Sequence, residues 1–465
     1  MALTEQMQRF IRDIEGIEHM SDDLSIRKLS KDFYWFSPIL KEELQSCNAE
    51  LIVRPRCEED VVRIAAAAAR HKVPLTARGA GTGTFGQAVP LAGGAILDMT
   101  AMDRLVWQKP GVIRAEAGML LGDIDDIARP TGWELRIHPS TKRTATLGGF
   151  IAGGHAGVGV INYGIMRDRG NILGLKLVTV EETPRVEEVR GDDVETIHHA
   201  YGVNGIIVEV ELPLAPAYPW QEAIVVFDDF ADATRFGLAL VDEPGILKKL
   251  ASAHAWPIPQ HFRPLAAYLP KGAHAVLVMI ADQSWEAFVA LSAEHRGEIS
   301  YSGREGEGPR GTPLYEYSWG HTTINAYRDE RRTTYLACVF EAADAFASIM
   351  RIHERFNHEA PLHLEFIRFA GKANAQGIPL FAYESREQVE RLTRGYESEG
   401  AMIANVHTYF LQNGGMKHID DAQLATKARN DPHGLLNPGK IAGWKDVAGE
   451  VSGGGAHIAA AGWAY

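Results

Sequence analysis

The sequence predicts an α+β protein with two or three domains. Its 465 residues exceed one typical core, and a 46% hydrophobic share with 23% charged residues is globular in composition. A strand, helix and strand unit opens the ordered part, and short strands and helices alternate through the rest. A proline-marked break near residue 220 separates the two halves.

Residues 1–48 mix helix with the aromatic stretch Asp32-Phe33-Tyr34-Trp35-Phe36-Ser37-Pro38 and read as a leading arm. Glu50-Leu51-Ile52-Val53-Arg54-Pro55 reads as a strand closed by a turn. Glu58 through the alanine run to Arg70 has helix-forming composition, and Val73 to Arg78 is the next strand. Ala95 to Met99, Val112 to Ala117 and Asn204 to Pro213 add strands. Pro213, Pro216 and Pro219 then mark the break. Beyond it, helices are expected at Asp229 to Leu240, Ser284 to His295 and Ala342 to Phe356.

Composition excludes several classes of function. A net charge of -13 argues against a nonspecific nucleic-acid binder and offers nothing to an anionic membrane. The beginning lacks the basic and apolar pattern of a secretion signal, and no apolar run is long enough to cross a bilayer, so a cytoplasmic protein without an integral membrane segment is expected. Cys47, Cys57 and Cys338 are too few and too scattered for a disulfide framework or a zinc cluster.

Arg78-Gly79-Ala80-Gly81-Thr82-Gly83-Thr84-Phe85-Gly86 is the most informative block. Its glycines bring backbone amides close to a ligand, while Thr82 and Thr84 add hydroxyls and Arg78 adds charge, a set suited to a diphosphate. A glycine-rich turn without a ligand uses the same composition. The lysine of a phosphate-binding nucleotidase loop is missing, and so is the usual dinucleotide fingerprint. A second block from Pro139 to Gly157 contains Ser140, Thr146, Gly148, Gly149, Gly153, Gly154 and Gly157 and allows another close backbone approach.

Together these blocks resemble the vanillyl-alcohol oxidase and p-cresol methylhydroxylase family of FAD-binding proteins. The likeness continues through Tyr163-Gly164, Asn171 to Leu175 and Tyr201 to Val210, and returns at Asp431-Pro432-His433-Gly434-Leu435-Leu436-Asn437-Pro438-Gly439-Lys440. It implies an α+β fold in which a two-part FAD-binding domain is interrupted by an α+β substrate or cap domain. The expected ranges are 1–220 for the arm and FAD-binding domain, 221–425 for the cap, and 426–465 for the C-terminal return.

The resemblance also implies residue roles. Arg78, Gly79, Ala80, Gly81, Thr82, Gly83, Thr84 and Gly86 would approach the pyrophosphate. Ser140 and the Thr146 to Gly157 region would line pyrophosphate or isoalloxazine, and Ile206, Ile207 and Val208 would meet the adenine side. Some family members bond flavin to a histidine where this chain has Thr82, so noncovalent FAD is expected. His321, His363 or His407 is the alternative for attachment from the cap.

Substrate chemistry has two candidate constellations. Glu316-Tyr317-Ser318-Trp319-Gly320-His321 joins an aromatic surface to an imidazole, with His321 as acid or base, Tyr317 as oxyanion donor and Trp319 as packing surface. His363-Leu364-Glu365-Phe366-Ile367-Arg368 and Asn405-Val406-His407-Thr408-Tyr409 form the other. In a strand, His407 and Tyr409 would share a face over the flavin, and Arg368 would meet a carboxylate. Histidines, tyrosines and Glu365–Arg368 pairs serve structure equally well. A metal held by His363, Glu365 and His407 is chemically possible but does not match the metal pattern of the hydroxy-acid branch.

The resulting expectation is FAD-dependent oxidation of an aromatic alcohol, phenolic compound or hydroxy acid, by an oxidase or dehydrogenase. Electrons would pass to oxygen, a quinone or a protein acceptor, and a homo-oligomer is possible. The competing expectation is a flavin- or small-ligand-binding module without turnover.

Overall fold

The structure is a computed structural model and describes residues 3–412, 414, 417, 419–446, 449 and 450. The end of the expected C-terminal return, 451–465, lies outside the described residues. Three sheets of four, six and eight strands carry the architecture, together with helices packed on their faces. It is an α+β fold.

The first sheet runs in the order Glu18–Met20, Leu51–Arg54, Ala95–Asp98, Leu75–Arg78, with the last three parallel. Parallel strands need cover on both faces. Helices Glu5–Asp13 and Glu58–His71 supply one cover through Phe10, Ile64, Ala65 and Ala68, all without measurable exposure. The alanines permit close approach, and Glu58, Glu59 and Asp60 in the first turn with Arg70 and His71 in the last complement the helix dipole. Met20, Ile26 and Leu29 pack against Ile52 and Ile96 on the other face.

The second sheet is antiparallel and has Ile206–Pro216 at its centre, between Val112–Glu116 and Gly174–Val178. This strand divides two cores, and a bulge between Ile207 and Glu209 switches its alternation: Ile207, Val210 and Leu212 face one, Ile206 and Val208 the other. The strand continues past Pro213, where the sequence suggested an end. Its Gly174–Val178 partner has already stopped at Glu211, so a residue without an N–H fits there.

The third sheet begins at Trp220–Phe227 and ends with Ala401–Ala404, and its eight strands are all antiparallel. Helices Phe230–Asp242, Trp285–Glu294, Ala345–Phe356 and Arg386–Ser398 accompany it. Its strands are apolar on both faces because each face has a core. Leu277 and Met279 of strand His274–Ala281 belong to the cluster shared with the second sheet, whereas Val276, Val278 and Ile280 join the cluster containing helix residues Phe236, Ile349 and Leu392.

The chain then returns to its first half. Helix Asp421–Asn430 is tied there by Lys427, which donates to the carbonyls of Val203 (2.9 Å) and Leu436 (3.0 Å) and pairs with Asp431 at 2.5 Å. The Leu75 amide donates to Leu435 O, and the Asn437 amide donates back to Leu75 O. This helix and the segment after it are thus bonded to the first half of the chain. All three cysteines are free. Among the described residues, no helix is long and apolar enough to cross a membrane.

Candidate cofactor cleft and its side chamber

Strand Leu75–Arg78 delivers the first glycine block to a cleft of about 1720 Å³, partly open to solvent, between the first half of the chain and the third sheet. Gly79 is forced by close approach: a Cβ there would lie 1.9 Å from Thr146 Oγ1, so the two glycine blocks pack directly together. Arg78 curls under its own loop, with Nη1 donating to Gly79 O at 2.9 Å and Nη2 reaching Lys31 O at 3.4 Å. Its Nε has no partner. Burial pulls the guanidinium pKa down, opposed by the charges of Asp98 and Asp32.

Residues Arg78 through Thr84 line this cleft, as do Ser140, Thr146, Gly148, Gly149, Gly153, Gly154 and Ile207. Gly153 ends helix Leu147–Gly153 facing open space, where a methyl group would project with nothing within 4 Å. Gly154 is the opposite case. Its φ is +68° and its Cβ position falls 1.9 Å from the His199 ring. Only glycine combines that conformation with that contact.

The arm and the C-terminal return complete the walls. Phe33 and Phe36 line the cleft, and the Phe33 amide donates to Gly83 O at 2.7 Å. Asp32 also lines it and accepts from the amides of Tyr34 and Ala88. Burial raises Asp32 to about 6 and lowers Lys440 to about 7, while the charge of each favours ionisation of the other. Lys440 donates to Gly86 O at 2.6 Å, so Gly86 supports the loop from behind. Asn437 bonds the carbonyls of Gln87 and Tyr201, both at 2.7 Å.

These features fit a large phosphate-bearing group. The unpartnered Arg78 Nε and Thr146 Oγ1 are buried, and a buried cation without a bonded carboxylate favours an anion. Gly153 leaves free precisely the room a side chain would take, and apolar Ile207, Ile324 and Ile378 suit flat rings. The family model for the FAD binding domain matches residues 49–185, the segment that contains both glycine blocks. The chain carries an FAD-binding domain.

Relatives agree with that cofactor. A glycolate oxidase subunit GlcD from Bacillus subtilis is 21% identical over 420 residues, covering 84% of this chain and 88% of that protein. A D-2-hydroxyglutarate dehydrogenase from Escherichia coli is 37% identical over 135 residues, covering 28% of this chain and 13% of the relative. An uncharacterized FAD-linked oxidoreductase from Mycobacterium tuberculosis is 28% identical over 165 residues, 35% of this chain and 34% of that protein. The match thus spans about a third of the mycobacterial relative's length. An alkyldihydroxyacetonephosphate synthase structure superposes with a TM-score of 0.71 at 15% identity, covering 93% of this chain and 85% of that one, and shows the same fold.

Other expected cofactor residues stand behind the cleft. Ile206 and Val208 turn into the first-sheet core, because strand alternation leaves only Ile207 at the cleft. Gly157 packs on the His138 carbonyl, outside the lining residues.

The expected substrate residues are dispersed. The strand that was to align His407 and Tyr409 ends at Ala404, so the two share no strand face and neither lines the cleft. His407 Nδ1 lies 2.8 Å from Ser37 Oγ, which also accepts the Leu40 amide. Burial lowers His407 to about 4. Tyr409 lies under Lys440, its ring centroid 5.3 Å from Nζ. Arg368 donates to Val241 O (2.7 Å) near the end of helix Phe230–Asp242 and to Gly371 O (3.0 Å), which makes it a helix-end tie instead of a cleft cation.

Tyr317 is buried edge-on to Phe262 at 5.5 Å. His321 stands beside the cleft on the first turn of helix Gly320–Asp329, its Nδ1 3.2 Å from Glu316 O, and burial lowers it to about 4. Trp319 is buried at φ 50° and meets the His155 ring edge-on at 5.7 Å. Its amide donates to Glu365 Oε1 at 2.5 Å, within a fully buried set where Glu365 also meets His363 Nε2 (2.7 Å) and Ser252 Oγ (2.9 Å). Desolvation raises Glu365 to about 8 and lowers His363 to about 3. Among the described residues, no three His, Cys, Asp or Glu side chains converge as metal ligands.

Two imidazoles missed by the sequence reading do line the cleft: His155 and His199. His155 is accessible from the cleft yet lies deep in the protein, and that desolvation lowers it to about 4, with the charge of His321 adding to the shift. Desolvation likewise pushes His199 well down. The available signal for His155 was its place inside the second glycine block. His199 had none, because its position depends on Gly154, far away in sequence.

Proposed function

We propose that this protein is an FAD-dependent oxidoreductase acting on small hydroxy acids, with the third-sheet region as its substrate cap. The observation that carries the proposal is a single cleft in which the glycine blocks of the FAD-binding domain face cap residues Tyr335, Gln376 and Ile378, with His155 beside them. The relatives named for glycolate and D-2-hydroxyglutarate support the substrate class over aromatic alcohols.

Bound FAD supplies a two-electron acceptor. Arg78 and the backbone of the two glycine blocks hold its phosphates, and Thr82 offers no imidazole, so attachment is noncovalent. His155, neutral above about pH 5, accepts the proton of a substrate hydroxyl. Gln376 offers an amide to orient the substrate, and the apolar walls exclude water. His321, within electrostatic reach of His155, is the alternative base.

Anaerobic mixing of the FAD-loaded protein with glycolate, D-lactate, D-2-hydroxyglutarate and vanillyl alcohol tests this reading. A hydroxy acid should bleach the yellow absorbance, and His155→Gln should slow bleaching at least tenfold without loss of FAD. Bleaching by vanillyl alcohol alone would overturn the substrate class. No bleaching by any compound, with FAD bound, would favour a binding module.

A further inference from the structure

A second space, about 570 Å³ and partly open to solvent, adjoins the FAD cleft and shares Gly154, His155, His199, Ala337 and Gln376 with it. Its walls differ in chemistry. The FAD-domain side offers His155, Arg167, His198 and His199, while the cap side is apolar through Val339, Ile367 and Phe369. Four bases line the space and no carboxylate does. Glu195 and Asp168 stand nearby but are not lining residues.

His198 is only 2% exposed, and its Nε2 has no hydrogen-bond partner. Its Nδ1 faces the Glu195 carboxylate, with Oε2 3.6 Å away, an ion-pair contact that uses one nitrogen only. Lys417 fixes the segment by donating to the carbonyls of Glu195 and His198. A buried imidazole with one nitrogen left without a partner is costly unless something pairs with it. His199, next to it, holds φ 51°, a backbone conformation that persists only where its surroundings enforce it. Here Gly154 lies against its ring, and its amide donates to Ile151 O at 3.0 Å.

We propose that this side chamber binds a small carboxylate with a branched apolar tail, the carboxylate against His198, His199 and Arg167 and the tail against Val339, Ile367 and Phe369. The proposal deepens the hydroxy-acid reading and rests on it for the identity of the substrate. An acid as small as glycolate would leave the apolar wall uncovered. His155, shared by chamber and cleft, would then stand at the substrate's carbon next to the carboxylate.

The test uses 4-methylpentanoate, which lacks the hydroxyl and cannot be oxidised as a hydroxy acid. Calorimetric titration of the FAD-loaded protein should show binding at least tenfold tighter than that of acetate or 4-methylpentanamide. Val339→Phe should fill the chamber and abolish binding. His198→Gln, milder in volume, should weaken it at least tenfold, with bound FAD reporting that each variant has folded. Absent binding, equal binding of the amide, or binding unchanged in both variants overturns the chamber proposal. If hydroxy acids still bleach the flavin in that event, the oxidoreductase reading survives alone. If 4-methylpentanoate binds as expected while no hydroxy acid bleaches, the chamber stands and the redox reading falls.

Discussion

On the FAD side of the cleft, glycine backbone meets side chains directly: Gly79 abuts the Thr146 hydroxyl, and Gly154 receives the His199 ring. Across the cleft, the cap relies on buried side chains whose protons are displaced from their usual ranges, with Glu365 near 8 beside His363 near 3. The first wall is therefore sensitive to a single added methyl group. The second has space tolerances like any core but responds to protonation. Each can be broken separately.

Gly154→Ala should have the largest effect. It places a Cβ at 1.9 Å from the His199 ring at a φ of +68°, so either the ring or the loop must move. We expect loss of stability of about 3 kcal/mol or more and loss of FAD, read by thermal unfolding and cofactor content. Gly153→Ala is its control: the site is helical with open space around the new methyl, so the apo-protein should be unchanged or stabilised by about 0.5 kcal/mol. FAD affinity should nevertheless fall, because that methyl enters the cleft. Equal FAD affinity in Gly153→Ala would remove this wall from the cofactor site.

Arg78→Ala comes next. It deletes a buried cation and its bond to Gly79 O, leaving the loop without its prop. FAD should bind more weakly by about 1.5–3 kcal/mol in a titration of apo-protein, as for a charged hydrogen bond. Unchanged affinity would leave the phosphates to backbone amides alone.

The same contrast decides what was legible in the sequence. Glycines required by close approach are visible as residues, so the Arg78–Thr84 and Thr146–Gly154 blocks could be placed on one ligand before any fold was known. Helices Phe230–Asp242 and Trp285–Glu294 were legible within a few residues from composition and length. Chemistry on the cap side was not. His407 and Tyr409 alternate as strand residues would, but the strand stops at Ala404 and a turn follows. Arg368 looks available for a carboxylate until helix Phe230–Asp242 brings Val241 O to it. Such partners lie over a hundred residues away, where no local period reaches.

Glu365→Gln sharpens the electrostatic half. In the folded protein Glu365 keeps its proton up to about pH 8, whereas an unfolded glutamate releases it above about 4.5. The unfolded state thus binds fewer protons across that interval, and stability falls as pH rises through it. Buried histidines act oppositely. His155, His274, His321 and His407, near 4 when folded and 6.5 when not, make stability rise between those values and outnumber the opposing Glu365, Glu222 and Asp32. Wild-type stability should therefore climb to about pH 6.5 and then decline. Glu365→Gln should lessen the decline between pH 6.5 and 8 by about 2 kcal/mol in denaturant titrations. Glu222, also raised to about 8 by burial, keeps a residual slope.

The smallest expected effect lies where the two walls touch. Thr84 Oγ1 of the glycine loop and Tyr335 Oη of the cap are 3.2 Å apart, and both residues line the cleft. Tyr335→Phe removes the phenol and keeps the ring, so packing against Phe36 persists, with centroids 6.2 Å apart. A neutral hydrogen bond of this kind contributes about 0.5–1.5 kcal/mol, which should lower the melting temperature by a few degrees at most and speed FAD release several-fold. Thr84→Val alone should give a similar change. If the bond joins loop to cap, the double variant should lose no more than either single one, a coupling of about 1 kcal/mol in a double-mutant cycle. Strictly additive losses would mean that each hydroxyl serves its own wall, and the two halves of the cleft would then be held together by the Phe36 and Tyr335 rings and the Thr334 bond to Phe36 O (2.7 Å), without help from the glycine loop.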